Sequence, residues 1–244
     1  ADESSAPTDE AAEEREAFLR SIGYAGFAEV EGDARDGVVL RDEELSVPGY
    51  DLYSVVPHGL SVLLDPEGRE VRRWQVPEAV LAMRCELLPD GDVVIVGTEG
   101  DPRDQRPHLV RLTWDGEEVW RRDDDVHHDV ELTPRGELLT LTREPRDLPE
   151  LDATRPVEDN ALLRASLDGE VLQRLSLHDV LAADETFEIV EPPHQGLRAK
   201  WYDHLHANSV AWIPDALVSE HPLYGPEHVL VSLRHQDTVA MVDM

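Results

Sequence analysis

Three stretches of this chain repeat one pattern of strand, tight turn and strand, and that repetition limits the architectures open to it. Leu81 to Glu99 reads LAMRCELLPDGDVVIVGTE and Val126 to Glu144 reads VHHDVELTPRGELLTLTRE. His206 to Arg234 reads HANSVAWIP, an insertion, then HVLVSLR. Pro89 and Pro134 stand 45 positions apart, Trp74 and Trp120 stand 46, Gly68 and Gly116 stand 48, and Gly116 and Gly169 stand 53. Within these stretches apolar residues alternate or form short solid runs such as LLTL, the habit of half-buried and fully buried strands. Helical repeats of similar length would place apolar residues three and four apart. Short strands in units of this size are the signature of propeller blades.

The expected fold is therefore all-β, a β-propeller, with blades near 60–98, 108–143 and 161–234. The third is interrupted by insertions near 178–205 and 215–227, which in a propeller lie on its faces, where binding sites are usually built. DTVAMVDM (237–244) aligns with GLSVLLDP (59–66) and begins a further blade. Blades bury their faces only against neighbours, and the ring must close. Three to four blades do not close one, so the chain is expected to be the N-terminal part of a longer protein or part of an assembly. Residues 1–36 read as an acidic arm, with Thr8 capping a short helix through DEAAEEREAFLRSI that Gly23 ends. The propeller domain is expected over 37–244.

Charge excludes some functions. The chain carries 53 acidic and 22 basic residues, a net charge of −31, and Lys200 is its only lysine. Such a surface repels phosphates and argues against nucleic acid as a partner. It suits a protein living in high salt, where screening shortens self-repulsion; a GC-rich genome accounts for the missing lysines equally well. The single cysteine, Cys85, falls on an expected strand, reads as a small buried hydrophobe and excludes an internal disulfide. No apolar run approaches the length of a membrane span.

Counting back from Pro134 and Pro214, His128 occupies the slot of Asn208, and His206 lies two residues earlier. A two-residue offset keeps the strand face, so His128, His206 and Asn208 are expected on one face and His127 on the other, with Asp129 and Glu131. Counting past the turn, Arg143 and Arg234 are equivalent, and the first unit has Thr98 there. Two arginines and two histidines aimed at one region make an anion cradle: the guanidinium fork matches a tetrahedral oxyanion, and imidazole donates or accepts near neutral pH. Ordinary ion pairs remain the competing reading for both arginines, and a surface position for His127. His127, Asp129 and Glu131 also resemble a metal-binding face, but without a second ligand cluster no metal is expected. The histidines at 58, 108, 178, 194, 204, 221, 228 and 235 have no constellation of their own.

The strings HHDVELTPRGELLTL, HANSVAWIP and VLVSLRHQDTVAMVD, together with PGYDLYSV and LLDPEGREVRRW, resemble the arylsulfotransferase family over residues 37–244. The resemblance implies a six-bladed propeller that moves a sulfuryl group from a phenolic sulfate ester to a phenol. It implies no nucleotide sulfate donor, and ping-pong transfer through a sulfated histidine. His128 and His206 match the family's active-site histidines and Arg234 its sulfate-holding arginine; Arg143, Asn208 and His127 are the further candidates for substrate binding. The family's nucleophilic histidine sits in a later Gln-His-Asp motif without a counterpart before Met244, so this stretch alone is not expected to turn over. No cofactor, a small aryl sulfate and a phenol as partners, and a periplasmic or extracellular location are implied. The alternatives are a non-catalytic propeller that binds a ligand or partner, and a metal-dependent propeller hydrolase.

Overall fold

The computed structural model describes residues 38, 41–42, 44–100, 105–191 and 200–244; the arm expected over 1–36 lies outside them. The described chain is all-β apart from one short α-helix and a few single 3-10 turns. Its strands form four antiparallel sheets in chain order. Sheet I holds β1 (Asp51–Val55), β2 (Leu60–Leu64) and β3 (Glu70–Gln75). Sheet II holds β4 (Ala79–Leu87), β5 (Val93–Glu99), β6 (Arg106–Leu112) and β7 (Glu118–Arg122). Sheet III holds β8 (Val126–Leu132), β9 (Leu138–Arg146), β10 (Val157–Ala165) and β11 (Val171–Ser176). Sheet IV holds β12 (Ala207–Trp212), β13 (His228–Leu233) and β14 (Thr238–Asp243). Helix α1 (Leu177–Ala183) follows β11, its first turn capped by the Ser176 hydroxyl accepting from the Asp179 N–H.

One turn recurs five times, in DPEGR, LPDGD, TWDGE, TPRGE and SLDGE. In each, the glycine amide donates three residues back, from Gly68 to Asp65, Gly91 to Leu88, Gly116 to Thr113, Gly136 to Thr133 and Gly169 to Ser166, at 2.8–3.0 Å. All five glycines have φ between 72° and 95°, a region that costs an L side chain energy and glycine nothing. In four of the five the first residue's side chain adds a second tie, accepting from the amide four residues on: Asp65 from Arg69, Thr113 from Glu117, Thr133 from Glu137 and Ser166 from Glu170.

Consecutive sheets bury one layer of apolar side chains between each pair. Leu63 and Trp74 of sheet I meet Ala82, Val93, Ile95 and Val110 of sheet II. Val94, Val96 and Leu109 of sheet II meet Val126, Val130 and Leu138 of sheet III. Leu139, Leu141 and Leu162 of sheet III meet Val210, Trp212, Val229 and Val231 of sheet IV. β5 and β9 thus bury both faces, which is why VVIV and LLTL are solid rather than alternating. Indole N–H groups tie sheets together at their outer ends: Trp74 donates to the Thr113 carbonyl at 3.1 Å and Trp120 to the Leu167 carbonyl at 2.8 Å.

The first strands of the sheets lie side by side, β1 against β4, β4 against β8 and β8 against β12. Sheet boundaries differ from the units read in the sequence. The unit 60–98 is divided between sheets I and II, 108–143 between II and III, and 161–234 between III and IV. A tandem repeat fixes a period but not a starting point; the sheets begin at the strand carrying the His-His and His-Ala-Asn motifs, not at the turn following it.

Candidate active site

Those side-by-side first strands carry the candidate residues. β4, β8 and β12 each bulge at one equivalent place, between Ala82 and Arg84, between His127 and Val130, and between Ala207 and Ser209. Met83, His128 and Asn208, each six residues before the turn proline, stand in those bulges. His128 has φ +62° and His206 φ +49°, a left-handed backbone that costs a non-glycine residue about 1–3 kcal/mol and persists only where surrounding contacts over-determine it.

A cavity of about 230 Å³ is lined by His127, His128, Arg143, His206 and Arg234, together with Leu81, Met83, Thr98, Gln105, Pro107 and Val126. Equivalent positions of three sheets converge in it: Leu81, Val126 and His206; Met83 and His128; Thr98, Arg143 and Arg234. The bulge corrects the expected faces. It breaks the two-residue alternation after His127, so both His127 and His128 line the cavity, their rings 4.9 Å apart. Asn208, expected beside them, is outside the lining, and its Oδ1 is buried without a hydrogen-bond partner. Asp129 and Glu131 do not form a metal face with His127. Their carboxylates accept from the Val210 N–H at 3.0 Å and the Trp212 N–H at 2.7 Å, pairing the edge of β12 with β8, while Asp129 also meets Arg84 at 3.2 Å.

Imidazoles follow one another across the site: His128 to His206 at 5.4 Å between ring centres, His206 to His235 at 4.7 Å. Burial keeps His127 and His128 neutral. Burial lowers the His127 pKa well below the ordinary value, helped by the charges of His128 and Arg143. Burial, then the charges of His206 and Arg143, lower that of His128 to about 4. His206 is held differently. Its backbone N–H donates to Asp203 Oδ1 at 2.9 Å, and its Nδ1 is hydrogen-bonded to Asp203 Oδ2. His235 Nδ1 donates to the Asp203 carbonyl at 2.7 Å. Burial pushes the Asp203 carboxyl up, but the hydrogen bond and charge of His206 and the charge of His235 outweigh it and hold the carboxyl below the usual range. Nε2 of both His127 and His206 is buried without a hydrogen-bond partner.

The guanidinium groups stand apart from their kind. Most arginines of this acidic chain grip a carboxylate, as Arg73 does Glu70 at 2.6 Å and Arg146 does Asp159 at 2.7 Å. Arg234 forms no ion pair among the described residues. Arg143 lies between Asp125 at 3.5 Å and Glu158 at 3.6 Å, too far for a good hydrogen bond, with its guanidinium 5.9 Å from the Trp201 ring. Asp203, His206 and His235 also offer ligand atoms within 4.8 Å of one another, close enough to admit a cation. Both Asp203 oxygens and Nδ1 of each ring are already hydrogen-bonded, so the trio reads as a proton-sharing network.

Sequence reasoning missed the apolar wall of Leu81, Met83, Pro107 and Val126, and the roles of Asp203 and His235. The wall was legible in the same count from the turn prolines that located the histidines. Asp203 lies in an irregular loop with no counterpart in the other repeats, and no signal pointed to it.

A model of the Arylsulfotransferase (ASST) family matches residues 84–244, well over half of the chain. No curated protein matches. Among solved structures, a crystal structure of a protein of unknown function from Bacteroides caccae is similar at 11% identity and TM-score 0.37, over 80% of this chain and 57% of that one. A streptogramin B lyase structure is similar at 11% identity and TM-score 0.36, over 83% of this chain and 52% of that one. The chain thus spans little more than half the length of either, and neither likeness bears on its function.

Proposed function

The chain belongs to the arylsulfotransferase family, and from that premise we propose that it moves a sulfuryl group from a phenolic sulfate ester to a phenol, its four sheets being consecutive blades of a β-propeller. One observation carries the reading. In a chain with 53 acidic residues, Arg234 meets no carboxylate among the described residues, and it shares a cavity with Arg143 of the neighbouring sheet and three histidines. That arrangement supports an anion site with an apolar wall for an aryl group.

Sulfuryl transfer, like phosphoryl transfer, spreads charge over three peripheral oxygens, so fixed donors and cations lower its barrier. Arg234 clamps those oxygens and Arg143 assists from the next sheet. His127 and His128, kept neutral, donate or accept hydrogen bonds there. Leu81, Met83 and Val126 pack against the ring. Transfer is ping-pong through a sulfated histidine, and the protein works in the periplasm or outside the cell. No cofactor is needed. The second reading, a non-catalytic ligand-binding propeller, shares every feature of the cavity and differs only in turnover.

The deciding experiment offers the full gene product 4-nitrophenyl sulfate with and without a phenol. Release of 4-nitrophenol that requires the acceptor, with a sulfated acceptor as second product, is the expected outcome. Release indifferent to the acceptor means hydrolysis. No release from a folded full-length protein leaves the binding module.

A further inference from the structure

We propose that Asp203 is a positioning residue that makes His206 the proton carrier of the site, a role that rests on the transferase reading above. The geometry separates His206 from the other imidazoles of the cavity. Asp203 accepts a hydrogen bond from His206 Nδ1–H on Oδ2 and from the His206 backbone N–H on Oδ1. This fixes the tautomer, leaving the Nε2 lone pair unpartnered in the cavity wall. A carboxylate on Nδ1 orients the ring and stabilises the imidazolium that forms when Nε2 takes a proton. His127 and His128 are pressed toward neutrality by burial and by neighbouring charges, so they suit hydrogen bonding better than proton uptake.

The loop holding this pair is pinned from both sides. Tyr202 exchanges backbone hydrogen bonds with Pro156 and Glu158 at 2.8 Å, and the Ala207 N–H donates to Asn160 Oδ1 at 2.6 Å. From sheet IV, Arg234 N–H donates to the His206 carbonyl and His235 N–H to the Leu205 carbonyl, both at 3.1 Å. Gln236 donates to the His204 carbonyl at 2.6 Å. The left-handed backbone of His206 is what this scaffold over-determines, and its effect is to hold Nε2 in place before substrate arrives. When the acceptor's oxygen forms its bond to sulfur, the bond from sulfur to its carrier breaks and the carrier keeps the electron pair. The acceptor's proton passes to His206 Nε2, and the next donor's departing phenolate takes that proton back.

The test uses the full gene product, 4-nitrophenyl sulfate and a series of phenols of graded acidity. Asp203→Asn is expected to lower kcat by roughly 100-fold, most for the least acidic phenols, with donor KM unchanged; Asp203→Glu recovers part of the loss. His206→Gln should show the same dependence on acceptor acidity, and the double variant should be no slower than the worse single one. A proton spectrum reads the pair without reference to activity: a far-downfield Nδ1–H resonance present in the wild type and absent from Asp203→Asn and His206→Gln. Undiminished transfer by Asp203→Asn overturns the proposal, as does a loss insensitive to acceptor acidity. Activity abolished by a chelator and restored by zinc overturns it too, by giving the trio to a cation. The resonance without any transfer by the wild type would sink the transferase reading itself and leave only the hydrogen bond.

Discussion

Arg234 is where charge balance within this chain says most. With carboxylates outnumbering cations more than two to one, an arginine that meets none among the described residues is reserved for something else, and the cavity it lines has room for an anion. Arg234→Ala is expected to cut kcat for transfer by about 10²- to 10³-fold, the usual loss when one donor to a developing oxyanion is removed. Arg234→Lys, a point charge in place of a fork, should recover only part of it; steady-state rates with 4-nitrophenyl sulfate decide. His128 supports a prediction about stability. Its folded pKa is about 4 against an ordinary 6.5, so between those values the unfolded chain binds a proton that the folded chain refuses. Stability must fall as pH drops from 6.5 toward 4. His204, lowered to about 4 chiefly by burial and then by His178, adds to the same slope. Urea midpoints measured across that window should decline, and His128→Gln should flatten the decline; an unchanged slope would remove His128 as its cause. Counting from Pro89, Pro134 and Pro214 was enough to bring His128, His206, Arg143 and Arg234 to one cavity on paper. The same count put His127 on the wrong face and Asn208 in the lining, because VHHDV gives no hint that His128 and Asp129 stand there without a partner residue on β9.

At the scale of strands, the repeat is carried by polar ties as much as by apolar faces. Glu131 accepts from the Trp212 N–H, and two residues earlier Asp129 accepts from the Val210 N–H. In each case a carboxylate on β8 satisfies an edge amide of β12, which also protects that edge from foreign strands. Burial raises the pKa of Glu131, a sign that the tie is made out of water. Glu131→Ala leaves the Trp212 amide without its acceptor and is expected to cost about 1–3 kcal/mol. Glu131→Gln, which keeps an acceptor oxygen, should cost less. Denaturant melts that rank the two equally would mean that water replaces the carboxylate. The five turns were readable because glycine at a left-handed position leaves a fixed mark in DPEGR, TPRGE and their relatives. The carboxylate ties were not, since a glutamate in an alternating strand looks like any solvent-facing residue. The boundaries between the first three sheets were hidden for another reason: the chain reverses by similar short connections within these sheets and between them, so only packing tells them apart.

Across the whole molecule, short-range order and long-range repulsion oppose each other. Each sheet buries apolar side chains only against its neighbours, so stability accumulates interface by interface, while the net charge of −31 acts on all of them at once. Most cations are already committed to local pairs, and the surplus carboxylates repel through a field that reaches about 10 Å at 0.1 M salt and about 3 Å at 1 M. Thermal midpoints are therefore expected to rise between 0.1 and 1 M potassium chloride, equally with sodium chloride if screening is the cause; a flat response would remove the reading of this composition as an adaptation to salt. The same field bears on catalysis. On the transferase proposal, an aryl sulfate anion would approach against the global charge and bind beside Arg234 and Arg143, and contact pairs in a partly enclosed cavity are screened less than charges across open solvent. Added salt should first raise kcat/KM by lifting the long-range barrier and then lower it as the cradle itself is weakened, giving a maximum rather than a steady fall. A monotonic decrease from the lowest salt would mean that the cavity's own potential already dominates the approach. A neutral donor analogue should show neither limb.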